Sequence, residues 1–94
     1  MQGESIRQTV SVTNPQGFHM RPMAAFVEAA NRFPCEVVVM RSGMDPVNGK
    51  SILSLMGLVA VQGTELVIEA RGPCASEAIR ELVPIFERNF EEDE

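Results

Sequence analysis

Apolar and polar positions alternate from Ser5 to Val12, with Ile6, Val10 and Val12 on one side of an extended chain and Gln8 the polar exception between them. A period of two predicts a half-buried strand over residues 5–12. Asn14-Pro15-Gln16-Gly17 is a cluster of turn formers and ends it. The period then changes. Met23, Phe26, Val27, Ala30 and Phe33 recur at helical spacing on one face, which predicts a helix over 20–33. Pro22 suits its first turn, where a missing N–H leaves no helical bond unmade. Pro34 closes it, because the residue before a proline avoids the helical region. The run Val37-Val38-Val39-Met40 predicts a strand over 36–42, and residues 42–46 a turn. Val47-Asn48 is a short third strand, placed at an edge by Pro46. Apolar positions 52, 55, 56 and 59 predict a short helix from Ser51 to Leu58, with Ser51 as N-cap. Residues 64–70 predict a fourth strand with Leu66 and Ile68 inward. Ile79, Leu82, Val83, Phe86 and Phe90 mark the face of a last helix over 76–89. Pro84 lies inside it and removes one backbone bond, a loss of about 3 kcal/mol, so a kink near Arg80–Pro84 or a frayed final turn is expected.

The element order is βαββαβα. Right-handed crossovers allow the first helix to join two parallel strands with another strand inserted between them. The expected fold is α+β: an open-faced β-sandwich, with a four-stranded antiparallel sheet, three helices on one face and the other face open. Ninety-four residues leave no room for a second core, so a single domain over 1–94 is expected.

Charge narrows the partners. The net charge is −5, which disfavours nucleic acid and anionic membrane surfaces. Glu91-Glu92-Asp93-Glu94 reads as a solvated, frayed tail. No apolar run approaches the roughly 20 residues of a membrane span, and residues 1–10 are polar, so no membrane insertion, no signal peptide and a cytoplasmic location are expected. Cys35 and Cys74 are too few for a disulfide scaffold and read as reduced thiols at the end of the sheet opposite His19. With one histidine, no metal site is expected.

That histidine has an unusual setting. Gly17-Phe18-His19-Met20-Arg21-Pro22 places it between a strand end and a helix start. The first N–H groups of a helix lack intrahelical partners, carry partial positive charge and bind anions. Arg21 adds a fixed, forked cation two residues away. Imidazole as a class is largely neutral and nucleophilic at pH 7. Together these features suit a ring nitrogen that takes a phosphoryl group, whose oxygens then meet the helix end and Arg21.

The segment from Gly17 to Pro22 resembles the active-site motif of HPr, the histidine-containing phosphocarrier of the bacterial phosphoenolpyruvate-dependent phosphotransferase system. Val47-Asn48-Gly49-Lys50-Ser51-Ile52-Leu53 is similar to the family's second, serine-containing motif, and Leu55-Met56-Gly57-Leu58 and Gln62-Gly63-Thr64-Glu65-Leu66 continue it in register. The resemblance runs from about residue 5 to 90. It implies the same open-faced fold and a carrier without cofactor rather than a metabolic enzyme. By the resemblance, His19 is phosphorylated at Nδ1 and Arg21 contacts the phosphate. Ser51 matches the serine that an HPr kinase/phosphorylase modifies in many bacteria. The implied partners are enzyme I as donor and enzyme IIA domains of sugar transport or nitrogen type as acceptors, met one at a time by a monomer. The docking face comprises Met20, Arg21, Lys50, Ile52, Leu53 and Met56, with Arg21, Lys50 and Arg41 as a basic rim. Where the family usually has Ala or Thr after the histidine, this chain has Met20. A second reading keeps the fold as a regulatory module controlled through Ser51, with little or no transfer through His19.

Overall fold

Four runs able to bury alternate side chains form the sheet, and two amphipathic helices cover it. The computed structural model describes residues 4–87. The elements are β1 (Glu4–Ser11), α1 (Met20–Ala30), β2 (Glu36–Arg41), β3 (Val47–Asn48), α2 (Ile52–Met56), β4 (Glu65–Gly72) and α3 (Ala75–Glu87). Sheet order is β1-β4-β2-β3, every neighbour antiparallel. β1 and β2 thus run parallel with β4 between them, as a right-handed crossover through α1 allows. The register sets Val10 opposite Leu66 and Val39 opposite Ile68. Leu66, Ile68, Ala70, Val37 and Val39 are buried under Met23, Phe26 and Ala30 of α1 and Ala78, Leu82 and Phe86 of α3.

Several boundaries differ from the sequence reading, among them that of α2, which ends at Met56 rather than Leu58. Helix α1 stops at Ala30 rather than 33. Asn31 caps it: its side-chain amide donates to the Val27 carbonyl at 2.9 Å, and the N–H groups of Arg32 and Phe33 bond three residues back, to Ala29 and Ala30. An asparagine that bonds its own backbone favours ending a helix over extending it. Helix α3 runs unbroken from Ala75 through Pro84 to Glu87, with the proline on its exposed side. Ile85 is buried where Val83 was expected, and Val83 is only half-buried. Residues 88 and 89 of the expected last helix, Phe90 and the acidic tail lie outside the described residues. Strand β4 extends to Gly72.

The open face of the sheet carries a buried carboxylate. Glu69 is 4% exposed. The Ser5 hydroxyl donates to it at 2.5 Å and Arg71 donates to both of its oxygens, while Arg7 lies 3.5 Å away. Arg71 also approaches Glu36 at 3.5 Å. The donors from Arg71 first, then Ser5, hold the Glu69 carboxyl below its ordinary value of 4.5. A lowered folded-state pKa contributes stability above the unfolded value, lost as pH falls through the folded one.

The segment between β1 and α1 is folded tightly. Gly17 has φ +78°, and a Cβ there would lie 2.8 Å from the Ala60 carbonyl oxygen. Its N–H donates to the Asn14 carbonyl at 2.8 Å, and the Asn14 side chain accepts from the Gln16 N–H at 2.9 Å. Phe18 then drops into the core between Phe26 and Phe86, with ring centroids 6.0 and 4.8 Å away; the last two rings are 5.7 Å apart. Aromatic pairs of this kind contribute about 0.5–1.5 kcal/mol each beyond their burial.

Two outcomes follow. Glu69→Ala lowers the unfolding free energy at pH 7 by about 2 kcal/mol, since hydrogen bonds to a charged group are lost. In urea titrations, the gap to the wild-type chain closes as pH drops below the ordinary carboxyl value of 4.5; a constant gap contradicts the ion-pair account. Gly17→Ala combines a left-handed backbone with a clash against backbone oxygen and destabilises by about 2 kcal/mol, read in the same titration.

Candidate functional site

His19 is the N-cap of α1, with extended backbone (φ −97°, ψ −166°). Its carbonyl accepts the first helical bond, from the Met23 N–H at 2.9 Å. Its ring does not fold back to cap the helix. The residue is half-buried, and of its two ring nitrogens Nε2 is the enclosed one, without a hydrogen-bond partner. The other buried side-chain atom without a partner among the described residues is Asn14 Nδ2, in the same loop. Pro22 is buried in the first turn and Arg21 is exposed beside the ring-bearing residue. The helix end, the cation and the ring occupy one edge of the molecule, a setting suited to an anion carried on nitrogen.

Exposed apolar side chains surround this edge. Met20 is 53% exposed, Leu53 82% and Met56 47%. Ile52 is half-buried, while Leu55 takes the core side of α2. Residues 58–61 add Val59 and Val61, 69% and 62% exposed, between the buried Leu58 and Ala60. The segment is stitched to the histidine loop by the Phe18 N–H, which donates to the Ala60 carbonyl at 2.9 Å. The sequence reading missed Val59 and Val61 as surface residues. Leu58-Val59-Ala60-Val61 is apolar throughout, so its alternation of buried and exposed is invisible in residue type.

Two cations of the expected basic rim bond to backbone carbonyls. The Lys50 ammonium donates to the Phe33 carbonyl at 2.6 Å. Arg41 donates to the Leu58 carbonyl and, at 3.1 Å, to that of Val59. Both cations serve loop carbonyls that strands and helices leave over. Arg21 is exposed, two residues after His19. The clamp by Arg41 holds an unusual residue. Val59 has φ +49°, a left-handed conformation that costs an L-residue roughly 1–2 kcal/mol.

Ser51 caps α2, its hydroxyl accepting from the Ser54 N–H at 3.2 Å. Cys35 and Cys74 are free thiols. They lie at the end of the sheet where Glu36 pairs with Arg71, remote from the end where β1 leads to His19. Burial, then the adjoining Cys74 thiol, pushes the Cys35 thiol up to about 11, so it stays protonated at neutral pH. No group of three or more His, Cys, Asp or Glu side chains among the described residues is arranged to hold a metal. No helix among them is long and apolar enough to cross a membrane.

Comparisons with known proteins agree with this geometry. The phosphocarrier protein HPr of Pseudomonas aeruginosa is 39% identical over 85 residues, which cover 90% of this chain and 94% of that protein. The crystal structure of an HPr from Thermoanaerobacter tengcongensis superposes with a TM-score of 0.81 at 33% identity, covering 89% of this chain and 98% of that one. The solution structure of Crh, the Bacillus subtilis catabolite repression HPr, superposes at 0.64 with 38% identity, covering 86% and 95%. The family described as the PTS HPr component phosphorylation site matches residues 6–88. By these matches the chain belongs to the HPr family of phosphocarrier proteins of the phosphotransferase system.

Proposed function

We propose that the whole chain acts as one carrier domain that accepts a phosphoryl group on His19 Nδ1 from the phosphohistidine of enzyme I and passes it to an enzyme IIA. The observation that carries this reading is the placement of His19: N-cap of α1, half-buried, with Nε2 enclosed and the exposed Arg21 two residues on. In the transfer, the Nδ1 lone pair forms a bond to phosphorus as the donor's P–N bond breaks, and the donor ring leaves with that electron pair. The positive end of α1 and the Arg21 guanidinium face the charge on the equatorial oxygens, where positioned donors are most effective. Passing the group on reverses the roles. The carrier needs only to position the group and hold it away from water.

Met20, Ile52, Leu53 and Met56 form the apolar part of the docking face, and Arg21 its charged part. Apolar centres with few charges are what protein partners bind. Lys50 takes part through its stem while its ammonium stays on Phe33. Ser51 is the regulatory site. A phosphate there adds about −1.5 to −2 charge at a helix N-terminus, which tolerates it, and beside Ile52 and Leu53, where a partner docks. The fold survives and docking weakens.

A second reading makes the chain a regulatory module switched at Ser51, with His19 idle. The half-exposed N-cap serine and the likeness to Crh favour it. One labelling experiment separates the two. With phosphoenolpyruvate and enzyme I, the wild-type chain takes up acid-labile phosphate and His19→Ala takes up none. Label confined to Ser51, requiring ATP and a kinase, supports the regulatory module instead. In the same assay Ser51→Asp slows labelling of His19 at least several-fold and leaves the urea midpoint nearly unchanged. Equal rates for Ser51→Asp and wild type contradict the role given to Ser51.

A further inference from the structure

Cys35 and Cys74 take no part in the histidine site, yet the fold sets them side by side. Antiparallel pairing of β2 with β4 places Glu36 opposite Arg71, so one step further along Cys35 falls opposite Gly72. The approach there is close. A Cβ on Gly72 would lie 3.0 Å from the Cys35 Cβ and 3.3 Å from its Cα, and the glycine has φ +129°. A residue without a side chain is what leaves room for Cys35. Two residues on, Cys74 precedes α3, and its carbonyl accepts that helix's first bond, from the Ala78 N–H at 3.0 Å. Its side chain packs against the core cluster that holds Cys35. There the two thiols are hydrogen-bonded to each other.

The two sulfurs are not equivalent. Cys35 is 3% exposed, whereas Cys74 is half-buried and reachable from water. The bond between them raises the Cys35 thiol, as it does when that thiol is the donor and the Cys74 sulfur the acceptor. Cys74 also stands at the amino end of a 13-residue helix, where N–H groups without helical partners face it. Cys74 is therefore the sulfur that meets a reagent from solvent, and Cys35 the one that waits beside it. The Lys50 ammonium, held on the Phe33 carbonyl, favours negative charge on Cys35 as its proton leaves.

We propose that Cys35 and Cys74 are a redox pair, oxidised by peroxides to an intramolecular disulfide that ties the start of β2 to the start of α3. The Cys74 sulfur, as thiolate, attacks one oxygen of hydrogen peroxide. An S–O bond forms, the O–O bond breaks, and the departing hydroxide leaves as water with the proton that Cys74 gave up. The Cys74 sulfenic acid is then attacked by the Cys35 sulfur. The S–S bond forms as the S–O bond breaks, and the hydroxide leaves as water with the Cys35 proton. Two thiols are oxidised to one disulfide and the peroxide is reduced to two waters. A dithiol reverses the reaction by exchange. The bond closes the loop from residue 35 to 74, which restricts the unfolded chain and leaves the paired strands as they are. It forms at the end of the sheet remote from His19 and does not rest on any role given to that residue.

The test starts from the full chain, reduced with dithiothreitol, freed of reductant and exposed at neutral pH to a small molar excess of hydrogen peroxide. Thiols are counted by maleimide labelling in urea, and cross-links are located in a non-reduced digest. The treated chain takes up no label, and its Cys35 and Cys74 peptides emerge joined within one chain. It unfolds at urea at least about 1 M above the reduced chain. Dithiothreitol restores both labels and the original midpoint. Cys74→Ser keeps a hydroxyl suited to the helix cap and gains no stability from the same treatment, which separates the cross-link from oxidation of exposed methionines. Cys35→Ala leaves the sulfenic acid of Cys74 unresolved, and dimedone captures it. Retention of both labels, disulfides between chains, or a sulfinic acid on Cys74 with Cys35 still a thiol overturns the proposal. So does a disulfide that leaves the midpoint where it was or lowers it, because the folded chain would have been distorted to make it.

Discussion

The site depends on how the chain between β1 and α1 is pinned. Phe18 is buried among Phe26 and Phe86, and its N–H is bonded to Ala60. Those two restraints leave the next residue little choice. His19 follows a buried aromatic and precedes the first turn of a helix, so it must stand at the helix's amino end. Gly17 makes the approach possible, because no Cβ fits against the Ala60 carbonyl. The core thus reaches the functional edge through one side chain and one hydrogen bond.

The rest of the molecule divides by task. At the site the chain tolerates what a core does not: two buried polar atoms without partners, a strained valine and several large apolar side chains in water. Each weakens a fold taken alone, and such features gather where a protein meets its partners. Elsewhere the polar groups are matched. Glu69 is fully served by Ser5, Arg7 and Arg71, and the thiols of Cys35 and Cys74 sit at the far end of the sheet. Lys50 and Arg41 lie between the two regimes, holding loop carbonyls of Phe33, Leu58 and Val59.

Much of this was legible in residue order. The switch from period two to helical spacing located β1 and α1, and the β-branched run located β2. Ser51 announced the cap of α2, and the order of elements implied that β4 enters between β1 and β2. Less visible were features set by contacts distant in sequence. Asn31 ends α1 by bonding back to Val27, which spacing of apolar residues does not reveal. Ile85 rather than Val83 is buried because the face of α3 is set by what it packs on. Lys50 and Arg41 look like surface cations until the carbonyls they serve are known. Val59 and Val61 hide in an all-apolar stretch, and the left-handed turn at Val59 carries no glycine to mark it.

The central claim is that the fold encloses Nε2 of His19, so that a phosphoryl group is carried on Nδ1. Nitrogen-15 and phosphorus NMR of the phosphorylated chain tests it directly, since one-bond coupling identifies the nitrogen bonded to phosphorus. The account predicts that bond at Nδ1, with Nε2 still bearing or exchanging a proton. A phosphoryl group on Nε2 would require the enclosed side of the ring to turn outward, and would contradict the account at its base.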